Sequence, residues 1–92
     1  MAEYYTQTQY LEKGGDWYDS SDMGKRYDNL EDAEKEFVEK EKNIYELANG
    51  CKRKDRWEMV RINLCCLEES ADDNRIGYQE KVLKTCSAEI DE

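Results

Sequence analysis

The sequence predicts an α+β fold in the order β-α-β-β, with one long helix packed across a three-stranded antiparallel sheet. Three observations carry this expectation. An alternating, Tyr- and Thr-rich stretch opens the chain, a capped stretch with a helical apolar stripe occupies its middle, and two more alternating stretches close it. Ninety-two residues suit a single domain, 1–92, with one modest core. A chain of this size buries roughly 60–65% of the surface that its unfolded form exposes.

The first stretch, EYYTQTQYLEK, reads as a strand from about Tyr4 to Leu11. Alternation defines two faces, Tyr4, Thr6, Thr8 and Tyr10 against Tyr5, Gln7, Gln9 and Leu11, without choosing which is buried. Residues 14–28 read as a loop, punctuated by Gly14, Gly15 and Gly24 and rich in Asp and Ser. Within it, Trp17 and Tyr18 serve as an anchor or a short strand fragment.

The helix begins at Asn29, a good N-cap, with Asp32 three residues on and an acidic first turn that suits the positive helix end. Leu30, Ala33, Phe37, Ile44 and Ala48 fall on one stripe, with Leu47 at its edge, and Gly50 is a natural stop. The expected length is about 20 residues. Glu31–Lys35 and Glu36–Lys40 are i,i+4 pairs in the favourable order, which describes a solvated face. Glu41 interrupts the stripe; an incompletely covered stripe implies a homodimer or a partner surface.

RWEMVRINLCCLEE alternates again, with Val60, Ile62, Leu64 and Cys66 on one face and Trp57, Met59, Arg61, Asn63 and Cys65 on the other. SADDN reads as a turn, and RIGYQEKVLKTC then places Ile76, Tyr78, Glu80 and Val82 together. Pairing Val60 with Val82, Leu64 with Tyr78 and Cys66 with Ile76 sets apolar against apolar and puts Cys86 opposite Arg56. Residues 87–92 read as a frayed acidic tail.

Little here suggests catalysis. The chain has no His, the commonest general base and a frequent zinc ligand. Cys65 and Cys66 are adjacent, so a strand sends their thiols to opposite faces; Cys66 reads as core and Cys65 as outer face. A calcium loop started at Asp19 would place Gly24 correctly, but Met23 and Leu30 fall where oxygen ligands are required. No glycine-rich phosphate-binding pattern is present. The expectation is therefore no enzyme, no metal and no cofactor. No apolar run approaches a membrane span, and the N-terminal stretch lacks a leader pattern, so the expected place is the cytoplasm with reduced thiols.

Charge carries the functional reading. The net charge is −9. Residues 28–46 hold eight acids against three bases, whereas residues 47–61 hold five bases against two acids. An acidic field disfavours direct nucleic-acid binding and suits a basic protein partner. The candidate partner-binding residues are Glu31, Glu34, Glu39 and Glu46 on the helix, with Asp16, Asp19 and Asp22 in the loop. The alternative is a small oligomeric module that sequesters a ligand or signalling nucleotide through Lys52, Arg53, Lys54 and Arg56. Those cations also suit the helix C-terminus that they follow.

A Tyr-rich first strand, an aromatic and acidic loop, RYDNLEDAEKEF opening a helix and RWEMVRINLC opening a hairpin together resemble small acidic bacteriophage-encoded proteins of the anti-CRISPR type. The resemblance spans most of the chain and carries over no functional residue. It implies a non-catalytic inhibitor that binds a host protein or ribonucleoprotein defence complex in the host cytoplasm, with its carboxylates standing in for nucleic-acid phosphates.

Overall fold

The computed structural model describes residues 2–23, 25–72 and 75–91. Its elements are β1 (Glu3–Glu12), β2 (Trp17–Met23), α1 (Leu30–Lys42), α2 (Ile44–Asn49), β3 (Trp57–Asp72) and β4 (Arg75–Glu89). The strands form one four-stranded antiparallel sheet in the order β2-β1-β3-β4. One long helix on a three-stranded sheet is therefore incorrect in both layers: the sheet has a fourth strand, and the helix is broken in two.

The additional strand comes from the stretch expected to be a loop. β1 turns back at Gly14, whose φ of 72° lies where side chains are disfavoured. The Gly15 N–H donates to the Glu12 carbonyl at 3.0 Å, which closes the turn. Tyr18 then pairs with Tyr10 and Trp17 with Leu11. Asp19, Ser20, Ser21 and Asp22, which read as loop chemistry, instead lie on an edge strand, a position where polar and charged residues discourage pairing with other chains. Gly24, the other expected turn marker, lies outside the described residues.

Asn29 caps α1 as expected, its side-chain oxygen accepting the Asp32 N–H at 2.9 Å. The helix then breaks at Asn43, which closes α1 and opens α2 with φ −101° and ψ 5°. Its N–H bonds back to Lys40 at 3.2 Å, a tightened last turn. Asn has low helix propensity because its side chain offers the backbone alternatives. The stripe spacing continues across the break, so Ile44 and Ala48 remain buried with Ala33 and Phe37. Leu30 and Leu47 are exposed, and Glu41 is exposed beside Cys86 of β4. Ala33, Phe37, Ile44 and Ala48 are thus covered within one chain, while Leu30 and Leu47 stay at the surface.

The final hairpin is longer and differently registered than expected. β3 runs through Asp72 and β4 begins at Arg75, so part of SADDN is strand; Asp73 and Asn74 lie outside the described residues. Val60 pairs with Ala88, Leu64 with Lys84, Cys66 with Lys81 and Ile62 with Cys86. A bulge opposite Leu64 and Cys65 leaves Leu83 as the extra residue. It reverses the facing of everything before it, so Tyr78 is 72% and Val82 54% exposed instead of in the core. The Ile76 side chain lies outside the described residues. The core is completed by Ala88 and Ile90, which sit in the stretch expected to fray.

One face of the sheet carries the helices. Val60, Ile62 and Leu64 of β3 are fully enclosed beneath Ala33, Phe37, Ile44 and Ala48. Burying each such Val, Leu or Ile contributes about 1.5–3 kcal/mol. On β1 this face carries Tyr4, Thr6, Thr8 and Tyr10, which settles the facing that alternation left open. The opposite face holds a polar network. The Asn63 amide donates to Gln9 at 3.0 Å, Thr85 donates to Asn63 at 2.7 Å, and Arg61 donates to Gln9 at 2.7 Å while lying over Trp17. Cys65 points to this face as expected but is fully buried there.

Candidate interaction surface

α1 presents its acidic side because its other side is committed to the sheet. Ala33 and Phe37 point inward, leaving Glu31, Asp32, Glu34, Lys35, Glu36, Val38, Glu39 and Lys42 to line an open groove of about 770 Å³ with Tyr27. Tyr27 is held by two backbone bonds with Tyr4, of 2.8 and 2.7 Å. Burial raises the pKa of its phenol, and the nearby Glu36 and Asp32 carboxylates raise it further. A neutral hydroxyl therefore stands among carboxylates at neutral pH.

The helix is fixed to the sheet by polar contacts as well as by its stripe. The buried Thr6 hydroxyl donates to Glu36 at 2.7 Å and accepts from Lys40 at 2.8 Å. Glu36 and Lys40, which read as a solvated i,i+4 pair, thus meet through a sheet residue. Lys84 of β4 reaches Glu34 at 3.5 Å. Sequence reading missed both contacts. The signal was present in TQTQ, where two threonines alternate on one face, but nothing local says that an acid and a base lie above them.

The expected partner-binding acids do not form one patch. Glu31, Glu34 and Glu39 share the α1 groove. Glu46 is exposed on α2, apart from the residues lining that groove. Asp16 sits at the β1–β2 turn, where its carbonyl accepts the Glu12 N–H. Asp19 accepts from Gln9 at 2.8 Å and Gln7 at 3.3 Å, which joins it to the network on the face opposite the helices. Asp22 lies in β2, and its side chain is outside the described residues.

The basic cluster is partly absorbed by the fold. Arg56 binds Glu12 at 2.9 Å and lies 4.5 Å from the Trp57 ring centre and 5.9 Å from that of Tyr18. Trp57 in turn packs against Tyr10 and Tyr18, an aromatic cluster that sequence reading did not assemble. Arg53 pairs with Asp55 at 3.3 Å and holds that carboxyl below its usual pKa. Lys52 and Lys54 make no ion pair among the described residues. Two of the four cations are thus already engaged.

The thiols are free, and burial raises the pKa of Cys65, Cys66 and Cys86. Cys65 is pushed up to about 12, with Glu80 adding to the effect. Such thiols are poor nucleophiles, since the thiolate is the reactive form. Among the described residues, no group of three or more Cys, Asp or Glu side chains is placed to hold a metal ion. No helix of the described chain is long and apolar enough to cross a membrane. No family model, curated protein or solved structure matches the chain.

Proposed function

We propose that the protein is a non-catalytic interaction protein of the phage inhibitor type, which blocks a nucleic-acid-handling host complex by offering the acidic side of α1 to a basic surface. The observation that carries this reading is the α1 groove, with five carboxylates between Glu31 and Glu39 and the neutral Tyr27 and Val38 among them. Eight helical steps cover about 12 Å. One nucleic-acid strand presents about one charge per 3.4 Å, or roughly four over that length. The carboxylate spacing is therefore of the right order for a phosphate stand-in, although Lys35, Lys42 and the Glu34–Lys84 pair dilute the charge. A capped helix anchored by Thr6 holds the carboxylates in place, which limits the ordering cost on binding.

Capture of the host complex on immobilised protein, measured from low to high salt, tests the reading. Retention should fall steeply as salt rises, because screening acts on exposed charge. Glu31→Lys with Glu39→Lys should reduce retention at least about tenfold, from the loss of steering and the reversal of two charges. Asp16→Lys, away from the groove, should retain most of it. Salt-independent capture, or equal loss from both sets of variants, would overturn the proposal.

A further inference from the structure

A second groove adjoins the first, where the helix break at Asn43 stands over β1. It encloses about 520 Å³, enough for one long side chain and its flanking main chain. Its apolar lining comes from Ile62 of β3, Leu47 of α2 and Tyr10 of β1. Glu36 and Glu39 also line it, and both are shared with the α1 groove.

Thr8 distinguishes this groove from an ordinary acidic surface. It lies two residues beyond Thr6 on the same face of β1 and lines the groove. The Thr6 hydroxyl is fully engaged by Glu36 and Lys40. Thr8 is only 7% exposed, yet its hydroxyl has no hydrogen-bond partner among the described residues. A hydroxyl in such a place normally bonds to something, and this one opens onto the groove, since among the described residues no fully enclosed side-chain polar atom lacks a partner. At the rim, the Asn43 side chain makes no cap hydrogen bond, and Glu39 has no ion pair or hydrogen bond among the described residues. Lys40 also lines the groove, but its ammonium is turned onto Thr6.

We infer that this groove receives an arginine side chain of the basic partner, with its stem on Ile62 and Leu47 and its guanidinium between Thr8, Asn43 and Glu39. This inference rests on the acidic-surface reading and names the anchor within it. An arginine combines an apolar stem with a planar head of five donors. The groove offers apolar lining residues with several acceptors among them. A lysine ammonium has the same charge but fewer donors and no planar face for Tyr10.

Titration of the protein with an acetylated, amidated Gly-Arg-Gly peptide, followed by NMR at Thr8, Leu47 and Ile62, tests the inference. Saturable shifts at these residues are expected. The citrulline and lysine counterparts should bind at least about fivefold more weakly. Thr8→Val and Glu39→Gln should each weaken the arginine peptide about five- to tenfold; Glu39→Gln is a solvent-exposed change and serves even if Thr8→Val disturbs the fold. Equal binding of the arginine and citrulline peptides, or shifts confined to the outer side of α1, would overturn the inference. The two proposals fail separately. If Glu31→Lys abolishes salt-sensitive capture but Thr8→Val leaves both capture and peptide binding intact, the arginine site is wrong and the acidic surface stands. If capture ignores Glu31 and salt, the acidic surface is wrong, and the peptide titration still decides the groove.

Discussion

Thr6 ties an acid and a base of α1 to the middle of the sheet through one hydroxyl. Thr6→Val keeps the shape and removes both bonds, leaving Glu36 and Lys40 over an apolar methyl. The expected loss is about 1–3 kcal/mol in urea denaturation, because hydrogen bonds to charged groups exceed the usual net value. A smaller loss would mean that Glu36 and Lys40 pair directly and need no hydroxyl between them. Cys65 makes a pH prediction. Its folded pKa is about 12 against an ordinary 9.0. Above pH 9 the unfolded thiol ionises while the folded one remains protonated, so stability is fully present below pH 9 and declines as pH rises toward 12. Cys65→Ala should flatten that decline in denaturation midpoints measured between pH 8 and 11. The alternation of TQTQ and RINLC made the two-sided character of these strands readable. Which residues lie above them is non-local information, so the Thr6 contacts and the burial of Cys65 were not readable from the chain.

At the scale of elements, the hairpin carries the sharpest test. The sequence supports a pairing of Val60 with Val82, because apolar residues then meet across the strands. The structure instead pairs Val60 with Ala88, with a bulge at Leu83. Both registers give a plausible apolar match, and a single extra residue decides which face Tyr78 and Val82 take. Nothing in QEKVLKTC marks a bulge, since no glycine accompanies it. Val82→Glu should therefore cost less than about 0.5 kcal/mol, as an exposed site does, while Ala88→Glu, at 5% exposure, should cost upwards of about 3 kcal/mol or prevent folding. Reversed magnitudes in chemical denaturation would restore the shorter hairpin. The first strand, the cap at Asn29 and the burial of Ala33, Phe37, Ile44 and Ala48 were legible because each rests on a local period or a local bond. The break at Asn43 and β2 were not. Asn43 sits within a stripe whose helical spacing continues past it, and β2 is an Asp- and Ser-rich edge whose partner is set by the turn at Gly14.

For the molecule as a whole, the question is what −9 does to a fold of this size. The ion pairs Arg26–Glu3, Arg53–Asp55, Arg56–Glu12, Lys81–Glu68 and Lys84–Glu34 all join partly exposed side chains. Such pairs contribute about 0–1 kcal/mol each and weaken in salt. Against them stands repulsion among the α1 carboxylates and across the acidic surface, which also weakens in salt. With acids outnumbering bases 23 to 14, the repulsive sum is the larger. Added salt should therefore stabilise the free protein. Relief of about 1 kcal/mol would raise Tm by roughly 4–8 °C in a domain of this length. Partner capture through α1 should move the other way over the same salt range, because there the screened term is attraction. Paired measurements, thermal unfolding and retention on the partner from 10 to about 500 mM salt, thus separate two uses of one charge. If Tm falls with salt, the ion pairs outweigh the repulsion, and the acidic face is held in place by attraction within the chain; its carboxylates would then be structural, and less of the charge would be left for a partner.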